Sequence, residues 1–470
     1  MEHNNSLELV ESAERGVDKL IELYEASCDL ARATIASGKY SDYVRVTYPK
    51  LVVDVKQWRP IDRSEPFGYV DEAGRYSAEI SRPAMMAPYL RAQLTRLTGN
   101  YPCDIYVGPS STKIPPEYIS GIGDISEARR SHAVPRPTLD DVHDAIVDGD
   151  WDAFHGDEKP LLHFGPQRFD IACARIAHYT GIDAASCQRY ILFTNYAMHT
   201  TEFVKFGLAQ LRDPSSRYVG LRLPVGETLT RGSDQEIEDL TLESPFQMPR
   251  YDLITDSGDG ITMINIGVGP SNAKTITDSL AVLRPEAWIM IGHCAGLDGR
   301  MRIGDLILGN AYQRNDHILD QRVPHTVPIP AVPEVQRALE ASVSEIYGGD
   351  TSLMRTGTVI STGDRNWEWQ TPRELWGWLR GSTAAAVDME SCTLATNGYR
   401  YRVPYGTLLS VSDLPLHAVP KLPAQAQAFY VSSKEAHMMC AVSAMERLAS
   451  DPERLRTRKL RRAMGEVPFR

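Results

Sequence analysis

The chain has 470 residues, of which 42% are apolar and 24% charged, and its formal net charge is −11. This composition is typical of a globular protein of two or three domains, and the negative charge argues against nucleic acid as the main partner. No apolar run approaches the roughly 20 residues of a membrane-spanning helix, and residues 1–5 do not resemble a secretory signal. We therefore expect a cytoplasmic protein with no membrane partner. The seven cysteines are scattered along the chain and form no Cys-x-x-Cys pair, which predicts reduced thiols and no bound metal.

Residues 1–212 predict an N-terminal α+β domain. Its expected elements are a helix over 6–38, a strand over 43–56, a hairpin over 67–80, a helix after Pro83, a helix over 168–180, a strand over 191–193 and a helix over 200–211. Residues 108–160 are rich in proline and acidic side chains. That composition favours an irregular surface excursion over an acidic functional site.

The turn at Asp213-Pro214 marks the predicted boundary, so the second domain is expected to cover 213–470. Beyond it, short apolar strands alternate with helices, which indicates an α/β domain with a buried, partly parallel sheet. The expected elements are strands over 218–223, 261–266, 287–291, 305–308, 357–361, 385–387 and 405–411, and a helix over about 272–283. In such sheets ligands bind beyond the carboxyl ends of the strands, so functional residues are expected there.

A glycine-rich turn follows the strand at 261–266 and reads Gly-Val-Gly-Pro-Ser-Asn-Ala-Lys over 267–274. Glycines let the backbone approach a ligand closely, and the helix that follows presents free N–H groups. The turn is not a Rossmann fingerprint, because Asn272 occupies the position of the third glycine, and it is not a P-loop. It predicts either an anion-binding turn or merely a tight connection from strand to helix.

The next strand end reads Gly-His-Cys-Ala-Gly over 292–296, where small residues again make room for a ligand. His293 either contacts that ligand or is a structural histidine. Cys294 is expected to be a small buried residue rather than a nucleophile.

The loop over 361–367 follows another strand and ends in Arg365, Asn366 and Trp367. Trp367 offers a face on which a base can stack, although a tryptophan also packs well in a core. Arg365 can bind a phosphate or form a surface ion pair.

Two carboxyl groups follow the last two strands. Glu390 can accept hydrogen bonds from the vicinal hydroxyls of a ribose, with Met389 packed on the sugar face; alternatively, it is an acid at a helix N-terminus. Asp413 follows an apolar strand, where desolvation is expected to raise its pKa and make it a general acid.

In this order, these strand ends resemble those of the nucleoside phosphorylase and nucleosidase superfamily, over about residues 215–445. The chain also resembles the bacterial AMP nucleosidase family over nearly its whole length, including the N-terminal domain that ordinary nucleoside phosphorylases lack. The stretches that resemble this family are 192–196, 265–274, 290–294, 364–368, 402–409 and 468–470.

The resemblance implies a three-layer C-terminal domain around a central mixed sheet, and hydrolysis of AMP to adenine and ribose 5-phosphate in AMP catabolism and purine salvage. By the same resemblance, Asp413 protonates the purine at N7, Glu390 holds the ribose hydroxyls and Met389 packs on the sugar. The loop over 361–367, which includes Asn366, lines the base pocket, and Trp367 is its expected stacking group.

The 5′-phosphate of AMP requires cationic side chains or backbone donors. The candidates in suitable loops are Arg365, Lys274 and His293, together with the backbone N–H groups near Gly269.

One departure from the superfamily bears on the attacking nucleophile. Many hexameric purine phosphorylases have a phosphate-binding arginine where this chain has Met290. Methionine cannot donate a hydrogen bond to phosphate, which favours water as the nucleophile. Glu227 is a guess for the base that activates this water. Three alternatives stay open: a purine nucleoside or nucleotide phosphorylase, a 5′-thioadenosine nucleosidase, and a nucleotide-binding regulator without activity.

The resemblance further implies a homohexamer, stimulation by Mg-ATP and inhibition by phosphate, with regulation located in the N-terminal domain. It implies no cofactor for the chemical step. Composition and spacing bear on none of these properties.

Overall fold

The structure is a computed structural model that describes residues 7–62, 64, 66–153, 156, 158–417, 419–420, 423–455 and 464–470. Residues 1–5, for which the lack of a secretory signal was predicted, lie outside this description. The chain divides into two compact units, Met1–Ala174 with Arg461–Arg470, and Arg175–Leu460. Among the described helices, none is both long and apolar enough to cross a lipid bilayer.

The first unit contains one five-stranded sheet with helices. Its elements are β1 (Glu8–Val10), α1 (Ala13–Ser37), β2 (Thr47–Val55), β3 (Gly74–Glu79), α2 (Ala87–Asn100), β4 (Cys103–Lys113), α3 (Ala145–Asp148), β5 (Glu158–Pro160) and the start of α4 (Pro166–Thr180). The strand order is β1-β4-β2-β3-β5, and every pairing is antiparallel except that of β3 with β5. The predicted α+β character is therefore observed.

Helix α1 begins and ends at well-formed caps. Ser12 accepts a hydrogen bond from the backbone N–H of Arg15 at 3.1 Å, and Gly38 adopts a left-handed conformation at the other end. The helix starts later than predicted, because residues 8–10 pair with β4 as a strand. The apolar residues Val17 and Leu20 are fully buried and lie on the face that α1 turns to the core.

Two predictions in this unit are wrong. Residues 67–73 form no strand, so the expected hairpin over 67–80 is absent; its second half is β3, which pairs with β2 from Val55 to Lys50. The expected irregular region begins inside an eleven-residue strand, β4. Gly108 and Pro109 are residue types that seldom occur inside strands, so the sequence does not indicate a strand here. In the structure they pair with Lys50 and Pro49 of β2.

The second unit is built on a ten-stranded mixed sheet. Its elements are β6 (Tyr190–Thr194), α5 (Ala197–Arg212), β7 (Tyr218–Arg222), β8 (Leu229–Thr230), β9 (Arg250–Thr255), β10 (Ile261–Asn265), α6 (Pro270–Leu280), β11 (Ala287–Gly296), β12 (Leu306–Asn315), α7 (Pro333–Ile346), β13 (Met354–Thr362), α8 (Pro372–Leu379), β14 (Ala384–Asp388), α9 (Ser391–Tyr401), β15 (Tyr405–Asp413) and α10 (Pro423–Ser450). The strand order is β14-β13-β12-β15-β11-β6-β10-β9-β7-β8.

The central strands are covered by helices on both faces. Every residue of β11 and of β15 is buried. Helix α10 packs on both strands and also contacts helices α5 and α7. Helix α9 packs on the same two strands and contacts α6. These contacts form the α/β/α arrangement that the sequence predicts.

An additional pairing curls one end of this sheet into a ring. Strand β14 pairs with β13 and also with β11, where Ala295 lies opposite Val387. Strands β11, β15, β12, β13 and β14 therefore close on themselves. The closure brings the carboxyl end of β14 beside the carboxyl ends of β11 and β15.

The observed division of the chain differs from the predicted boundary at 212/213. Strand β6 pairs in parallel with both β10 and β11, and therefore belongs to the sheet of the second unit. The last residues belong to the first unit, where Phe469 is fully buried and its N–H donates to the carbonyl of Leu161 at 3.2 Å.

Candidate active site

A cavity of about 300 Å³ opens where the carboxyl ends of β6, β11, β14 and β15 meet. Its lining combines carboxyl, aromatic and small apolar side chains. The lining residues are Asn195, Tyr196, Val268, His293, Cys294, Ala295, Arg365, Trp367, Glu368, Val387, Asp388, Met389, Glu390, Ser412 and Asp413. The position agrees with the general rule for ligand sites in α/β sheets.

Glu390 lies in the cavity wall and is only 1% exposed. The backbone N–H of Gly269 donates to its Oε1 at 2.6 Å, and Nδ2 of Asn195 donates to its Oε2 at 3.3 Å. Burial, followed by the charge of Asp388, raises the pKa of Glu390 to about 8. A buried carboxyl with two donors is positioned to accept further hydrogen bonds from a ligand.

Asp388 is held by two serines. Ser361 Oγ donates to its Oδ1 at 2.5 Å, and both the N–H and the hydroxyl of Ser391 donate to its Oδ2. Burial raises the pKa of Asp388 to about 6, although these hydrogen bonds oppose the shift. Because its oxygens are bonded within the protein, Asp388 serves chiefly as a fixed negative charge beside Glu390.

Asp413 ends β15 and is 5% exposed in the cavity wall. The hydroxyl of its neighbour Ser412 donates to Asp413 Oδ1 at 2.5 Å and lies 3.2 Å from the carbonyl of Cys294. These contacts fix the rotation of the carboxyl group, which a general acid requires if its proton is to reach one atom of a ligand.

His293 and Tyr196 form an aromatic corner of the cavity. Their ring centroids are 4.3 Å apart and the rings are nearly perpendicular, at 80°. His293 is 7% exposed. Cys294, as expected, is a buried small residue.

Trp367 contacts both the cavity and a small apolar cluster. It is 6% exposed and packs with Ala295 and Val387, and its ring lies 5.5 Å from that of Trp378. Both sequence interpretations, packing and contact with a ligand, are therefore compatible with its position. Arg365 is exposed at the cavity rim.

Four residues singled out in the sequence do not take the expected place in the described structure. Lys274 forms an ion pair with Asp278 one helical turn away, and Asn366 is exposed outside the cavity lining. The N–H of Gly269 donates to the carboxyl of Glu390 in the cavity wall, instead of facing the phosphate of a ligand. Glu227 is exposed between β7 and β8, three strands from β6 in the sheet order.

Asn195 and Tyr196 also line the cavity, although no role was predicted for them. Both directly follow β6, and the predicted boundary had assigned that strand to the other domain. The sequence feature that could have identified them is a pair of polar residues directly after an apolar strand. The same feature identified His293 and Asp413.

Chemically, the cavity combines an oriented carboxyl at Asp413, a hydrogen-bonded carboxyl at Glu390 and aromatic surface from Tyr196 and Trp367. One carboxyl can donate a proton, the other can accept hydroxyl hydrogens, and the rings can contact a flat heterocycle. Met290 is 1% exposed within β11 and provides no cation. These features fit a sugar joined to an aromatic base.

Comparison with known proteins identifies the family of the chain. The sequence model of a family described as "Bacterial AMP nucleoside phosphorylase N-terminus" matches residues 15–158, and that of the "Phosphorylase superfamily" matches residues 228–446. The AMP nucleosidase of Escherichia coli strain K12 is 42% identical over 482 residues, covering 97% of this chain and 98% of that protein. The AMP nucleosidase of Escherichia coli O157:H7 gives the same values.

Two solved structures are also similar. The AMP nucleosidase of Bacteroides thetaiotaomicron is 28% identical, with a TM-score of 0.44, and the match covers 60% of this chain and 97% of that one. Purine nucleoside phosphorylase from Toxoplasma gondii is 15% identical, with a TM-score of 0.43, and the match covers 58% of this chain and 96% of that one.

Proposed function

The chain belongs to the AMP nucleosidase family, and on that premise we propose that it hydrolyses the N-glycosidic bond of AMP to adenine and ribose 5-phosphate. The observation that supports this most strongly is the joint presence of Glu390 and Asp413 in the lining of one cavity. A binding protein without activity would require no oriented acid there.

Asp413 is the general acid in this proposal. Cleavage develops positive charge on the ribose and negative charge on the departing adenine, so a proton delivered to N7 makes the base a neutral leaving group. General acid catalysis of this type contributes about 10²–10⁴ in rate. The short hydrogen bond from Ser412 supports the assignment, because it orients the carboxyl.

Glu390 holds the ribose. Its two oxygens are anchored by Gly269 and Asn195, and each oxygen has a second lone pair with which it can accept a hydroxyl hydrogen. Met389 lies in the same lining and packs on the sugar. Asp388 keeps a negative charge next to this carboxyl.

The base and the phosphate occupy opposite ends of the proposed substrate. Trp367, in the cavity lining, stacks on adenine. Arg365 is the favoured phosphate ligand because it is exposed at the rim, with His293 as a second donor. Lys274 would first have to leave Asp278, so we assign it no direct contact.

Water is the proposed nucleophile. Met290 is buried and apolar at the position where many purine phosphorylases have a phosphate-binding arginine. The matching proteins and families include both a nucleosidase and a phosphorylase, and the sugar product distinguishes attack by water from attack by phosphate.

Assembly and regulation are proposed from family membership. We propose a homohexamer in the cytoplasm that acts in purine salvage, with Mg-ATP as an activator and no cofactor in the chemical step. Light scattering of the purified protein tests the assembly, and AMP turnover with and without Mg-ATP tests the activation.

A substrate panel tests the proposed activity. AMP, adenosine and 5′-methylthioadenosine are each incubated with purified protein, and release of adenine is measured. The proposal expects turnover of AMP at a kcat/KM far above that of the other two. A preference for 5′-methylthioadenosine would instead indicate a thioadenosine nucleosidase, and a preference for adenosine would indicate an ordinary nucleoside enzyme.

A further inference from the structure

Three histidines from distant parts of the second unit converge beside the cavity. His199 lies in the first turn of α5, His293 in β11 and His437 in α10. They are 0%, 7% and 1% exposed, and one ring nitrogen of each lies within 4.8 Å of the others. The rings of His199 and His293 are stacked, with centroids 5.6 Å apart.

In two of these rings, one nitrogen is hydrogen-bonded to a neighbouring residue of the protein, and the other nitrogen is left for a ligand. Nε2 of His437 lies 2.8 Å from the carbonyl of Leu408, which can only accept, so Nε2 bears the hydrogen and Nδ1 has the lone pair. Nδ1 of His199 lies 2.8 Å from the hydroxyl of Thr194, which accepts the N–H in the tautomer that leaves a lone pair on Nε2. Histidines that ligate a metal commonly donate their other N–H in this way.

The remaining nitrogens of these two rings are unusual for buried polar atoms. Within the described part of the chain, neither Nε2 of His199 nor Nδ1 of His437 has a hydrogen-bond partner. Buried polar atoms in native proteins are nearly always paired. Two such atoms in one buried cluster therefore point to a ligand that both of them contact.

Burial disfavours the protonated form of both rings. Burial lowers the pKa of His437 to about 4 and that of His199 well below its ordinary value, so both imidazoles are neutral at pH 7. A neutral imidazole is a common metal ligand in proteins.

We propose that His199, His293 and His437 together bind one divalent transition-metal ion, most favourably zinc. Three imidazoles suit zinc and its neighbours in the first transition row, whereas calcium and magnesium require oxygen ligands. Zinc–nitrogen bonds measure about 2.0–2.1 Å, so the three rings draw closer together when the ion binds.

A carboxylate partly offsets the cation nearest the cluster. Lys434 is the cation that acts on His199, and its Nζ is paired with Glu202 Oε1 at 2.8 Å. Glu202 also pairs with Lys205 at 3.1 Å and is itself only 5% exposed. The pairing of Lys434 with a buried carboxylate reduces its repulsion of a bound cation.

The ion would border the substrate cavity, because His293 also lines that cavity. A zinc ion with three histidine ligands can hold a water molecule as its fourth ligand and lower the pKa of that water to about 7. The binding proposal rests on the histidine cluster alone and does not depend on which nucleotide the cavity accepts.

Metal analysis of the full-length protein without a histidine tag tests the proposal. Protein produced with added zinc is dialysed and analysed by mass spectrometry, with about one zinc ion per chain expected. Wild-type protein is then stripped with a chelator and titrated with Co²⁺, whose visible absorption reports histidine ligation without any measurement of activity. A stripped protein that takes up neither Zn²⁺ nor Co²⁺ would overturn the proposal, and the cluster would then bind water or another neutral group.

Variants locate the ion. We expect His437→Gln and His199→Asn to lose zinc, and Thr194→Val, which removes an outer contact, to weaken zinc binding by about 10–100-fold. The matched control is His317→Gln with His325→Gln, since these exposed histidines flank Asp320 in a separate cluster. Zinc retained in His437→Gln but lost from the control would show that the wrong cluster was assigned. Circular dichroism shows which variants fold. If no variant folds, the Co²⁺ titration of wild-type protein alone tests whether the histidines bind a metal ion.

Discussion

The backbone N–H of Gly269 donates to Oε1 of Glu390 at 2.6 Å, which joins the glycine-rich turn after β10 to the carboxyl that follows β14. Gly269 has a φ of 117°, a conformation that residues with a Cβ rarely adopt. The turn therefore fixes a protein carboxylate rather than a free anion. This relationship explains why the glycine pattern resembles a phosphate loop without matching one, and several predictions depend on it.

Replacement of Glu390 should weaken recognition of the ribose hydroxyls. We expect Glu390→Gln to lower kcat/KM for AMP by about 10–100-fold, since hydrogen bonds to charged groups contribute about 1.5–3 kcal/mol. The wild-type protein should discriminate strongly against dAMP, and the variant should discriminate much less. Steady-state kinetics on both substrates measure this difference, and an unchanged AMP-to-dAMP ratio in the variant would remove Glu390 from the ribose site.

Glu390 also predicts a dependence on pH. Its pKa is raised to about 8, and the ionised form is the better acceptor for hydroxyls, so the ratio of kcat/KM for AMP to that for dAMP should rise as pH increases from 7 toward 8. The ratio is used because loss of the acid proton from Asp413 affects both substrates alike. The second pKa of the AMP phosphate is about 6, so its ionisation contributes little to the change between pH 7 and 8. In Glu390→Gln the rise should be absent, and a rise that persists would assign the ionisation to another group.

The same shift links pH to stability. Unfolded Glu390 loses its proton above its ordinary pKa of 4.5, whereas the folded protein keeps it to about 8. The unfolded state therefore binds fewer protons between these values, and the free energy of unfolding falls as pH rises, by at most about 1.4 kcal/mol per pH unit for one proton. Denaturant titrations of wild-type protein and Glu390→Gln at pH 5, 6, 7 and 8 should show a shallower fall in the variant.

Asp413→Asn should remove most of the chemical step. The asparagine keeps the shape but cannot donate a carboxyl proton, so kcat should fall by about 10²–10⁴ while KM for AMP changes little. Ser412→Ala, which removes the orienting hydroxyl, should lower kcat by a smaller factor. Single-turnover kinetics measure both effects, and full activity in Asp413→Asn would refute the general-acid assignment.

Substitution of Trp367 distinguishes a role in stacking on the base from a role in packing the core. Trp367→Leu keeps much of the apolar volume but lacks a ring, and we expect KM for AMP to rise by about 5–100-fold, since stacking of a base contributes about 1–3 kcal/mol. Trp378→Leu is the matched control, because Trp378 packs against Trp367 outside the cavity lining. The control should lose stability with little change in KM. Equal KM values in the two variants would make Trp367 a packing residue only.

Local sequence patterns predicted much of the fold and the site. Apolar strands that end in small or polar residues located β10, β11, β13, β14 and β15, and their ends supplied His293, Trp367, Glu390 and Asp413, which all line the cavity. The strand predictions are confirmed because the pattern of each strand is contained within a few consecutive residues, whereas the roles of the four residues stay predictions.

The features that sequence patterns missed depend on contacts between distant residues. β4 contains glycine and proline and becomes a strand only through its pairing with β2. Asn195 was assigned to the wrong domain because the pairing of β6 with β11 has no local sign. Likewise, no pattern at residues 199, 293 or 437 indicates that three imidazoles meet.

Product analysis by ³¹P NMR tests the central claim most directly. AMP is incubated with purified protein in phosphate-free buffer and in buffer with excess phosphate, and the sugar product is identified in each. The account predicts ribose 5-phosphate in both buffers, with equimolar adenine, because the buried Met290 offers attacking phosphate no cation. Formation of ribose 1,5-bisphosphate, or turnover only when phosphate is present, would contradict hydrolysis and make the protein a phosphorylase.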